Sequence, residues 1–387
     1  MPHQTMTVAP DDVFEAASPA PRALYVHVPF CPSICPYCDF HKMRRHEPLV
    51  KAYLARLAEE ARERYDRYGG KLETIYLGGG TPSHLQDDEL EHLISTLQTT
   101  WGTEVDEFTL EADPLTFDSA RLNFFKTLGI TRLSIGLQST QNDVLKFLGR
   151  KHTATEGLEA VTMALEAGFR VSADLITAVD GQDTARDLHT LAHTGVGHIS
   201  VYNLTIEPYT SFALRGVQVD EHKEADDYEL ANVVLEDYGF ERYEVSSHAR
   251  PAECSRHNQM YWHGAYFVAL GPSAAGFIPT ADVSLIGKRY TNPQIKHWLA
   301  GEAGEVLEIT PLNFVQDMLM TGLRTTRGAN LEALSERTQI DVVTTYKNLI
   351  TTLVQKGLLS YQAPWLRATD AGILQLNPIV KAFFEAS

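Results

Sequence analysis

The sequence predicts an α/β fold built on a parallel β-sheet, and three observations support that prediction. Short apolar runs alternate with amphipathic helical segments from residue 23 onward. Six such strand–helix units follow one another, which is typical of a parallel sheet with right-handed crossovers. Cysteine, glycine and polar residues come directly after the apolar runs, where the carboxyl ends of parallel strands form ligand sites. We therefore expect a partial (βα)6 barrel of the TIM type.

Each predicted strand is a short run rich in apolar, β-branched and aromatic side chains. In chain order the strands are ALYVHVPF (23–30), TIYLGGG (74–80), FTLEADP (108–114), RLSIGLQS (132–139), RVSADLITAV (170–179) and HISVYNLTIE (198–207). Amphipathic patterns predict helices at 48–65, at 88–100, at 118–128, up to 167 and at 183–194. Because the alternation weakens after about residue 210, we expect the barrel to span 23–210.

The pattern on either side of the barrel is different. Residues 1–22 are rich in Ala, Pro and Asp and are expected to form a loose arm. Residues 211–304 read as an extension of the barrel that contains a polar-aromatic segment, CSRHNQMYWHGAYF. Residues 305–387 return to a helical pattern with a short hairpin, which predicts a small, winged-helix-like helical module.

Composition excludes several classes of protein. The 387 residues carry a net charge of −17 without a long Lys/Arg block, so general nucleic-acid binding is not expected. No run of about eighteen apolar residues occurs, so the protein is not expected to span a membrane. The first 22 residues lack the basic and apolar regions of a signal peptide. We expect a cytoplasmic protein whose thiols stay reduced.

Three of the four cysteines, Cys31, Cys35 and Cys38, lie within the eight residues CPSICPYC. An odd cluster in a reducing compartment disfavours disulfides and favours a metal site. A complete structural zinc or iron–sulfur site normally has four protein ligands. Three thiolates at a strand end suit a cubane cluster that keeps one open iron. The alternative is a zinc site completed by His41 or Asp39.

Glycine and polar residues end the next four predicted strands. They are Gly78 to Thr81, Glu111, Gln138 and Asp174. A missing side chain lets a ligand approach backbone amides, and a carboxylate accepts hydrogen bonds from ammonium or hydroxyl groups. Each residue alone is also consistent with a turn, a cap or an ordinary polar position. Their shared place at strand ends predicts a ligand site at that edge of the sheet.

Three segments together, YVHVPFCPSICPYCDF, GGGTPS and LSIGLQS, resemble the radical S-adenosylmethionine (SAM) superfamily over about residues 23–380. The similarity is to the branch that contains anaerobic coproporphyrinogen oxidases and HemW-type haem chaperones. It implies a barrel of the radical SAM type in which Cys31, Cys35 and Cys38 hold a 4Fe–4S cluster. In that superfamily the open iron chelates SAM, and one-electron reduction cleaves SAM to a 5′-deoxyadenosyl radical.

The resemblance also implies which residues bind SAM. By position they are Tyr25, Gly79, Gly80, Thr81, Glu111, Gln138, Arg150 and Asp174. Tyr37, inside the cysteine loop, is expected to shield the cluster or pack on adenine, and anchoring the loop is its alternative role.

Two features favour the haem-chaperone side of that branch. Anaerobic coproporphyrinogen oxidases carry a further cysteine two residues after the third ligand, where this chain has Phe40. The segment HNQMYW matches the H-N-x-x-Y-W signature that is linked to haem binding in the chaperones. The match implies that His257 is an axial haem ligand and that Tyr261 and Trp262 flank the porphyrin.

The sequence offers other candidate residues for the axial haem ligand. Cys254 and His263 are alternatives to the signature histidine, and a free structural thiol is the other role of Cys254. Family members often place a histidine where this chain has Ala275. Because the signature follows the last parallel strand, we expect it either to close over the barrel mouth or to present haem to a recipient protein.

The sequence therefore favours a haem chaperone that binds a 4Fe–4S cluster, SAM and haem and delivers haem to a recipient. The alternative is a radical SAM enzyme that acts on a tetrapyrrole, as an oxygen-independent coproporphyrinogen III oxidase or a haem-modifying enzyme. Catalytic residues and enzymatic activity are left open. A recipient protein and an electron donor are both implied, and neither is identified.

Overall fold

The computed structural model describes residues 20–386, so most of the predicted arm at 1–22 lies outside the described residues. Among the described residues the strands are β1 (Ala23–Val28), β2 (Phe30–Cys31), β3 (Met43–Arg44), β4 (Thr74–Gly79), β5 (Glu107–Ala112), β6 (Arg132–Gln138), β7 (Arg170–Thr177), β8 (His198–Asn203), β9 (Glu241–Arg242), β10 (Ser247–Ala249), β11 (Phe267–Leu270), β12 (Ala275–Ile278), β13 (Gly287–Thr291), β14 (Glu305–Ile309), β15 (Ala329–Asn330), β16 (Leu359–Gln362) and β17 (Trp365–Ala368).

The same part of the chain forms the α-helices α1 (Glu47–Tyr68), α2 (Asp87–Thr100), α3 (Ser119–Thr127), α4 (Asn142–Phe147), α5 (Ala154–Glu166), α6 (Thr184–Ala192), α7 (Ser211–Leu214), α8 (Glu221–Asp237), α9 (Arg256–Trp262), α10 (Ile295–Leu299), α11 (Pro311–Gly322), α12 (Leu331–Thr338), α13 (Val342–Thr345), α14 (Lys347–Gln355), α15 (Asp370–Ile373) and α16 (Leu376–Glu385).

The parallel sheet predicted from the sequence is confirmed. Strands β1, β4, β5, β6, β7 and β8 lie side by side in that order, and all are parallel. They are the six predicted apolar runs, each slightly shorter at its carboxyl end because the chain turns there into a loop. Helices between consecutive strands make the crossovers.

The sheet extends beyond these strands on both sides, which the sequence did not predict. Strand β11 adds a seventh parallel strand beside β1, with Tyr25 opposite Ala269. Strands β12, β13 and β14 continue from β11 in antiparallel order. At the other edge β10 and β9 are antiparallel to their neighbours. The segment after the barrel therefore completes one twelve-stranded sheet.

Side-chain alternation gives the parallel sheet an apolar outer face and a polar inner face. In β1, Leu24 and Val26 are fully buried in the main apolar core, whereas Tyr25 and His27 point to the other side. The same alternation continues through the neighbouring strands, whose outward apolar residues pack beneath the helices. The inner face therefore collects the polar side chains that surround the site.

A buried carboxylate on α1 fastens the β11 edge of the sheet. Glu60, 3% exposed, accepts hydrogen bonds from the Gly271 amide (2.9 Å), Asn292 Nδ2 (2.8 Å) and Trp298 Nε1 (3.0 Å). Burial raises the pKa of Glu60, and these bonds oppose the rise. Because a buried carboxylate is stable only with such donors, the network holds α1, α10 and the loop after β11 together.

The end of the chain forms a second apolar core, in agreement with the predicted helical module. Helices α11–α16 accompany a small sheet in which β17 lies between β15 and β16. Buried Phe314, Leu331, Tyr346 and Phe383 lie in this core. Between residues 20 and 386, none of the helices has the length and apolar character needed to cross a bilayer.

Candidate functional site at the carboxyl ends of the strands

A cavity of about 570 Å³ lies at the carboxyl ends of the parallel strands, a volume usual for small-molecule sites. The clustered cysteines border it. So do eight of the nine residues predicted to bind SAM, namely Tyr37, Gly79, Gly80, Thr81, Glu111, Gln138, Arg150 and Asp174. The structure thus brings residues from successive strand ends into one cavity.

The three cysteines are free thiols, of which Cys31 is buried and Cys35 and Cys38 are partly exposed. Burial raises the pKa of Cys31 to about 11 and also raises the pKa of Cys38. Positive groups lie close by, because Arg150 Nη1 is 3.5 Å from Cys35 Sγ and Lys42 Nζ donates to the Cys38 carbonyl. Thiolates at these positions need a compensating cation, which a bound metal supplies.

The glycine segment after β4 packs directly against the strand that leads to the cysteines. The Gly80 amide donates to the Val28 carbonyl (2.8 Å), and a Cβ atom on Gly80 would lie 2.9 Å from the Phe30 nitrogen. Gly79 has a φ of +110°, and its Cβ would lie 2.5 Å from the His27 ring. Close packing, as well as ligand access, therefore requires glycine at both positions.

Glu111 is the carboxylate of the cavity wall beside the glycine segment. Its Oε1 atom accepts from the Tyr76 hydroxyl and its Oε2 atom from the Gly79 amide, both at 2.9 Å. Burial raises the pKa of Glu111 to about 7, and the two hydrogen bonds oppose the rise. Near neutral pH the group is therefore divided between its charged and neutral forms. Such a carboxylate is placed to accept from an ammonium or a ribose hydroxyl.

Gln138 and Arg150 meet above Gly136. Gln138 has a φ of 69°, a left-handed conformation that is uncommon for residues with a side chain and often marks functional sites. Arg150 Nη2 donates to Asp113 Oδ2 (2.7 Å) and to the Gly136 carbonyl (2.8 Å). A Cβ atom on Gly136 would lie 2.9 Å from Gln138 Nε2 and 3.4 Å from Arg150 Nη2. Glycine therefore leaves room for both polar groups.

Asp174 projects from the inner face of β7 among serine hydroxyls. Its carboxylate accepts from Ser134 Oγ at 3.1 Å and from Ser172 Oγ at 3.4 Å. Burial raises the pKa of Asp174, and hydrogen bonds from Ser200 and Ser134 oppose the rise. The serines hold the carboxylate in one orientation toward the cavity.

The two predicted tyrosines occupy different places. Tyr37 borders the cavity and packs against Phe212, with ring centroids 6.3 Å apart. Tyr25 is outside the set of described residues that border the cavity, because its ring stacks behind Tyr76 at 6.1 Å and its hydroxyl lies 3.0 Å from His27 Nδ1. In this structure Tyr25 therefore lies behind the residues that border the cavity.

Helix α9, which carries HNQMYW, packs at the amino ends of the strands. The amides of Arg256 and His257 donate to Glu107, the first residue of β5, at 3.1 and 3.0 Å. The fully buried His257 ring has Nδ1 2.8 Å from Thr74 Oγ1 and Nε2 2.5 Å from the Tyr261 hydroxyl. The expectation that this segment closes over the barrel mouth is wrong, because Thr74 and Glu107 begin their strands.

The haem ligands predicted from the signature lie away from the main cavity. Both ring nitrogens of His257 are hydrogen-bonded, so the ring must leave one partner before it ligates iron. Burial, with a smaller effect of Arg132, lowers the pKa of His257 to about 3, which keeps the ring neutral. Trp262 and His263 border a separate cavity of about 50 Å³. Cys254 is partly exposed, and burial raises the pKa of its thiol to about 11.

Several cavity residues, among them Arg132 and Asn258, were absent from the sequence prediction. Arg132 is the first residue of β6 and 3% exposed. Alternation could have revealed it, because Arg132, Ser134 and Gly136 share the face of β6 that also leads to Gln138. No local signal shows that Asn258 faces this cavity, since its position depends on where α9 packs.

The residues of the cavity fit an iron–sulfur cluster with SAM. Three thiols border the cavity, that of Cys35 lies beside the Arg150 guanidinium, and the Nε atom of Arg150 is buried without a hydrogen-bond partner in the described residues. The carboxylates of Glu111 and Asp174 suit the cationic groups of SAM. Among residues 20–386 no three His, Cys, Asp or Glu side chains, the cysteines included, are arranged as a single-ion site.

Comparison with known proteins gives two matching families along the chain. Residues 25–193 match the radical SAM superfamily, and residues 309–374 match the HemN C-terminal domain. The coproporphyrinogen III oxidase HemN from Escherichia coli, described as a radical SAM enzyme, has a similar solved structure. The TM-score is 0.80 at 20% identity, covering 96% of this chain and 92% of that one. This likeness shows the fold.

Curated relatives extend over nearly the whole chain. The heme chaperone HemW of Synechocystis sp. (strain ATCC 27184 / PCC 6803 / Kazusa) is 34% identical over 412 residues, covering 95% of this chain and 97% of that protein. The heme chaperone HemW of Lactococcus lactis subsp. lactis (strain IL1403) is 31% identical over 378 residues, covering 94% and 97%. The heme chaperone HemW of Escherichia coli (strain K12) is 29% identical, covering 94% and 98%.

Proposed function

The chain belongs to the HemW family of the radical SAM superfamily, and we propose that it is a haem chaperone that binds a 4Fe–4S cluster, SAM and haem. In this proposal it accepts haem and delivers it to a recipient protein in the cytoplasm, where its thiols stay reduced. The observation that carries the proposal is that three free cysteines and eight of the predicted SAM residues border one cavity.

The side chains of the cavity have distinct roles in this proposal. Cys31, Cys35 and Cys38 hold the cluster, and Arg150 offsets the negative charge of the thiolates. Glu111, kept near its charge transition by burial, accepts from a cationic group of SAM. When bound, the cluster and SAM supply one-electron reductive chemistry, while the protein supplies orientation and exclusion of water.

Haem binding is proposed at α9, with His257 as axial ligand and with Tyr261 and Trp262 beside the porphyrin. The ring of His257 is neutral, the state in which imidazole ligates iron. Ligation requires that His257 exchange its bond to Thr74 or Tyr261 for the metal. Cys254, three residues earlier in the chain, is the alternative ligand.

The test uses full-length protein with an anaerobically reconstituted cluster. One sample is titrated with haem and followed by absorbance, and a second receives SAM, a reductant and coproporphyrinogen III. We expect stoichiometric haem binding and no decarboxylation of coproporphyrinogen III. Transfer of haem to an apo-haem protein, such as apomyoglobin as a generic acceptor, measures delivery.

The opposite result would assign the protein to the alternative function. If the protein ignores haem and converts coproporphyrinogen III in the presence of SAM, it is an oxygen-independent oxidase and the chaperone proposal is wrong. Phe40 favours the first outcome, because the oxidases carry a cysteine at that position. In this structure Phe40 is 63% exposed at the rim of the cavity.

A further inference from the structure

Arg132 is a buried cation that has no hydrogen-bond or ion-pair partner in the part of the chain that the structure describes. It is 3% exposed and borders the main cavity. Within residues 20–386 its guanidinium forms no hydrogen bond and no ion pair. The other arginines of the barrel interior are paired, Arg150 with Asp113 and Arg170 with Glu107. Because buried charges are normally paired, Arg132 is placed for a partner that the described residues do not provide.

Asn258, the second residue of HNQMYW, faces the same cavity from α9. Its backbone amide donates to Ser255 Oγ at 3.3 Å, but its side-chain amide has no hydrogen-bond partner in the described part of the chain. Ser172 and Ser200 border the cavity from β7 and β8, and Ser172 Oγ lies 2.7 Å from His198 Nδ1. Polar groups from several elements therefore converge toward the amino-end side of the cavity.

We propose that Arg132 and Asn258 form a binding site for the carboxylate group of a second small molecule. A guanidinium presents two parallel N–H groups that match the two oxygens of a carboxylate, and a side-chain amide adds a further donor. The inference deepens the proposed function and rests on it in one respect. SAM is assigned to the end of the cavity beside the cysteines, so the carboxylate bound here belongs to another molecule.

The charges around the site are compatible with an anion. Five carboxyl groups also border the cavity, those of Asp39, Glu111, Asp113, Asp174 and Glu207. The carboxylate of Asp113 is paired with Arg150. Burial raises the pKa of Asp174 and raises the pKa of Glu111 to about 7, so that Glu111 carries only part of its negative charge near neutral pH. Burial, and then the charge of Arg132, lowers the pKa of His198, so this ring stays neutral. Arg132 is therefore the cation that faces this part of the cavity.

Arg132 has one competing role, that of a counter-charge to Asp174. Its positive charge opposes the rise in the pKa of Asp174. A counter-charge acts at a distance and is replaced by lysine with little loss, whereas bidentate recognition of a carboxylate requires the planar fork of arginine. The variant Arg132→Lys therefore separates the two roles.

The experiment uses full-length protein with its reconstituted cluster and [13C]propionate as the probe. Line broadening and chemical shift of the probe are followed by NMR in wild type, Arg132→Gln, Arg132→Lys and Asn258→Ala. Arg62→Gln, at an exposed position on α1, is the matched control. Circular dichroism melting confirms that each variant is folded.

We expect saturable binding to wild type and to Arg62→Gln. Relative to wild type, the affinity for propionate should fall at least tenfold in Arg132→Gln. The decrease should be smaller in Arg132→Lys and smallest in Asn258→Ala. Lack of saturable binding to wild type, or equal affinity in Arg132→Gln and wild type, overturns the inference. Full retention in Arg132→Lys with loss in Arg132→Gln also overturns it, since a counter-charge explains that pattern.

A second arm identifies the source of the carboxylate by comparing haem with haem dimethyl ester. If Arg132→Gln weakens binding of haem but not of the ester, the carboxylate is a haem propionate. If Arg132→Gln leaves haem affinity unchanged while propionate binding is lost, the carboxylate is that of a separate small acid. If the wild-type protein binds propionate but neither haem nor SAM, the carboxylate site is supported and the proposed function is rejected.

Discussion

The guanidinium of Arg150 lies with Nη1 3.5 Å from the Sγ atom of Cys35. Its Nη2 atom is held 2.7 Å from Asp113 Oδ2, so the residue spans from the cysteine loop to the end of β5. Burial raises the pKa of Cys31 to about 11 and also raises the pKa of Cys38. Arg150 therefore joins the cysteine loop to the cavity wall, while thiolates at Cys31 and Cys38 need the further positive charge of a bound metal.

The first prediction concerns the cluster ligands. Replacing Cys31, Cys35 or Cys38 with Ala should abolish the 4Fe–4S cluster, because two thiolates do not hold a cubane securely. Iron content and visible absorbance after anaerobic reconstitution measure the cluster. Cys254→Ala is the control and should retain it. Equal loss in the Cys254 variant would refute the assignment of three ligands.

The second prediction concerns Arg150. Arg150→Gln should weaken SAM binding by about tenfold or more, because a charged hydrogen bond typically contributes about 1.5–3 kcal/mol. Arg150→Lys should recover part of the affinity, since it keeps the charge but loses the fork that reaches Cys35 and Asp113. Equilibrium dialysis with cluster-loaded protein provides the measurement. Arg186→Gln, at an exposed position, is the control, and an equal effect there would show a nonspecific charge effect.

The third prediction concerns pH. Because the pKa of Glu111 is raised to about 7, its carboxylate fraction grows as pH rises from 6 to 8, and SAM affinity should grow close to tenfold over that range. The folded chain binds the proton of the Glu111 carboxyl group more tightly than the unfolded chain does. Glu111 therefore lowers stability progressively as pH rises from about 4.5 to 7.

The variant Glu111→Gln tests this assignment. Its SAM affinity should be lower than that of wild type at pH 8 and nearly independent of pH between 6 and 8. A pH profile as steep as that of wild type would show that another group controls binding.

The fourth prediction separates the structural role of His257 from its proposed role in haem binding. His257→Ala removes the partners of Thr74 and Tyr261 and should destabilise the fold by about 2–4 kcal/mol. Tyr261→Phe removes only the bond to Nε2, at a cost of about 1 kcal/mol, and leaves that nitrogen open. Urea unfolding measures both changes.

Haem titration of the same two variants then gives opposite results if His257 ligates iron. His257→Ala should weaken binding or shift the haem spectrum, whereas Tyr261→Phe should bind haem at least as well as wild type. Cluster content and SAM affinity should stay unchanged in Tyr261→Phe. Identical haem spectra in wild type and folded His257→Ala would move the axial ligand elsewhere, with Cys254→Ala as the next variant to titrate.

The fifth prediction concerns the buried carboxylate on α1. Glu60→Ala leaves the Gly271, Asn292 and Trp298 donors without their acceptor and should lower the free energy of unfolding by about 3 kcal/mol or more. Glu63→Ala, on the same helix but 61% exposed, should change it by less than about 1 kcal/mol. Similar values for the two variants in urea unfolding would contradict the role given to this network.

The predictable part of the fold is the part that local pattern determines. The six parallel strands follow from alternating apolar and amphipathic segments, and the cysteine loop and Glu111 follow from their place at strand ends. Strand β11 was missed because its four residues, beginning at Phe267, are too few to show a clear repeating pattern. Its pairing with β1 joins residues more than two hundred positions apart in the chain.

The placement of α9 was missed for the same reason. Motif resemblance identified HNQMYW but carries no information on which end of the barrel it contacts. That end is decided by the bonds from Arg256 and His257 to Glu107, which only the assembled fold shows. Asn258 consequently escaped prediction, whereas Arg132 on β6 could have been found from strand alternation; both border the cavity.

The bonds from Glu107 to α9 also constrain how the protein is made. Glu107 is fully buried, and two of its donors, the amides of Arg256 and His257, lie about 150 residues later in the chain. A nascent chain on the ribosome completes β1 to β8 well before those donors are synthesised. The barrel therefore reaches its final form late in translation, and a product truncated before Arg256 should be retained by chaperones or degraded.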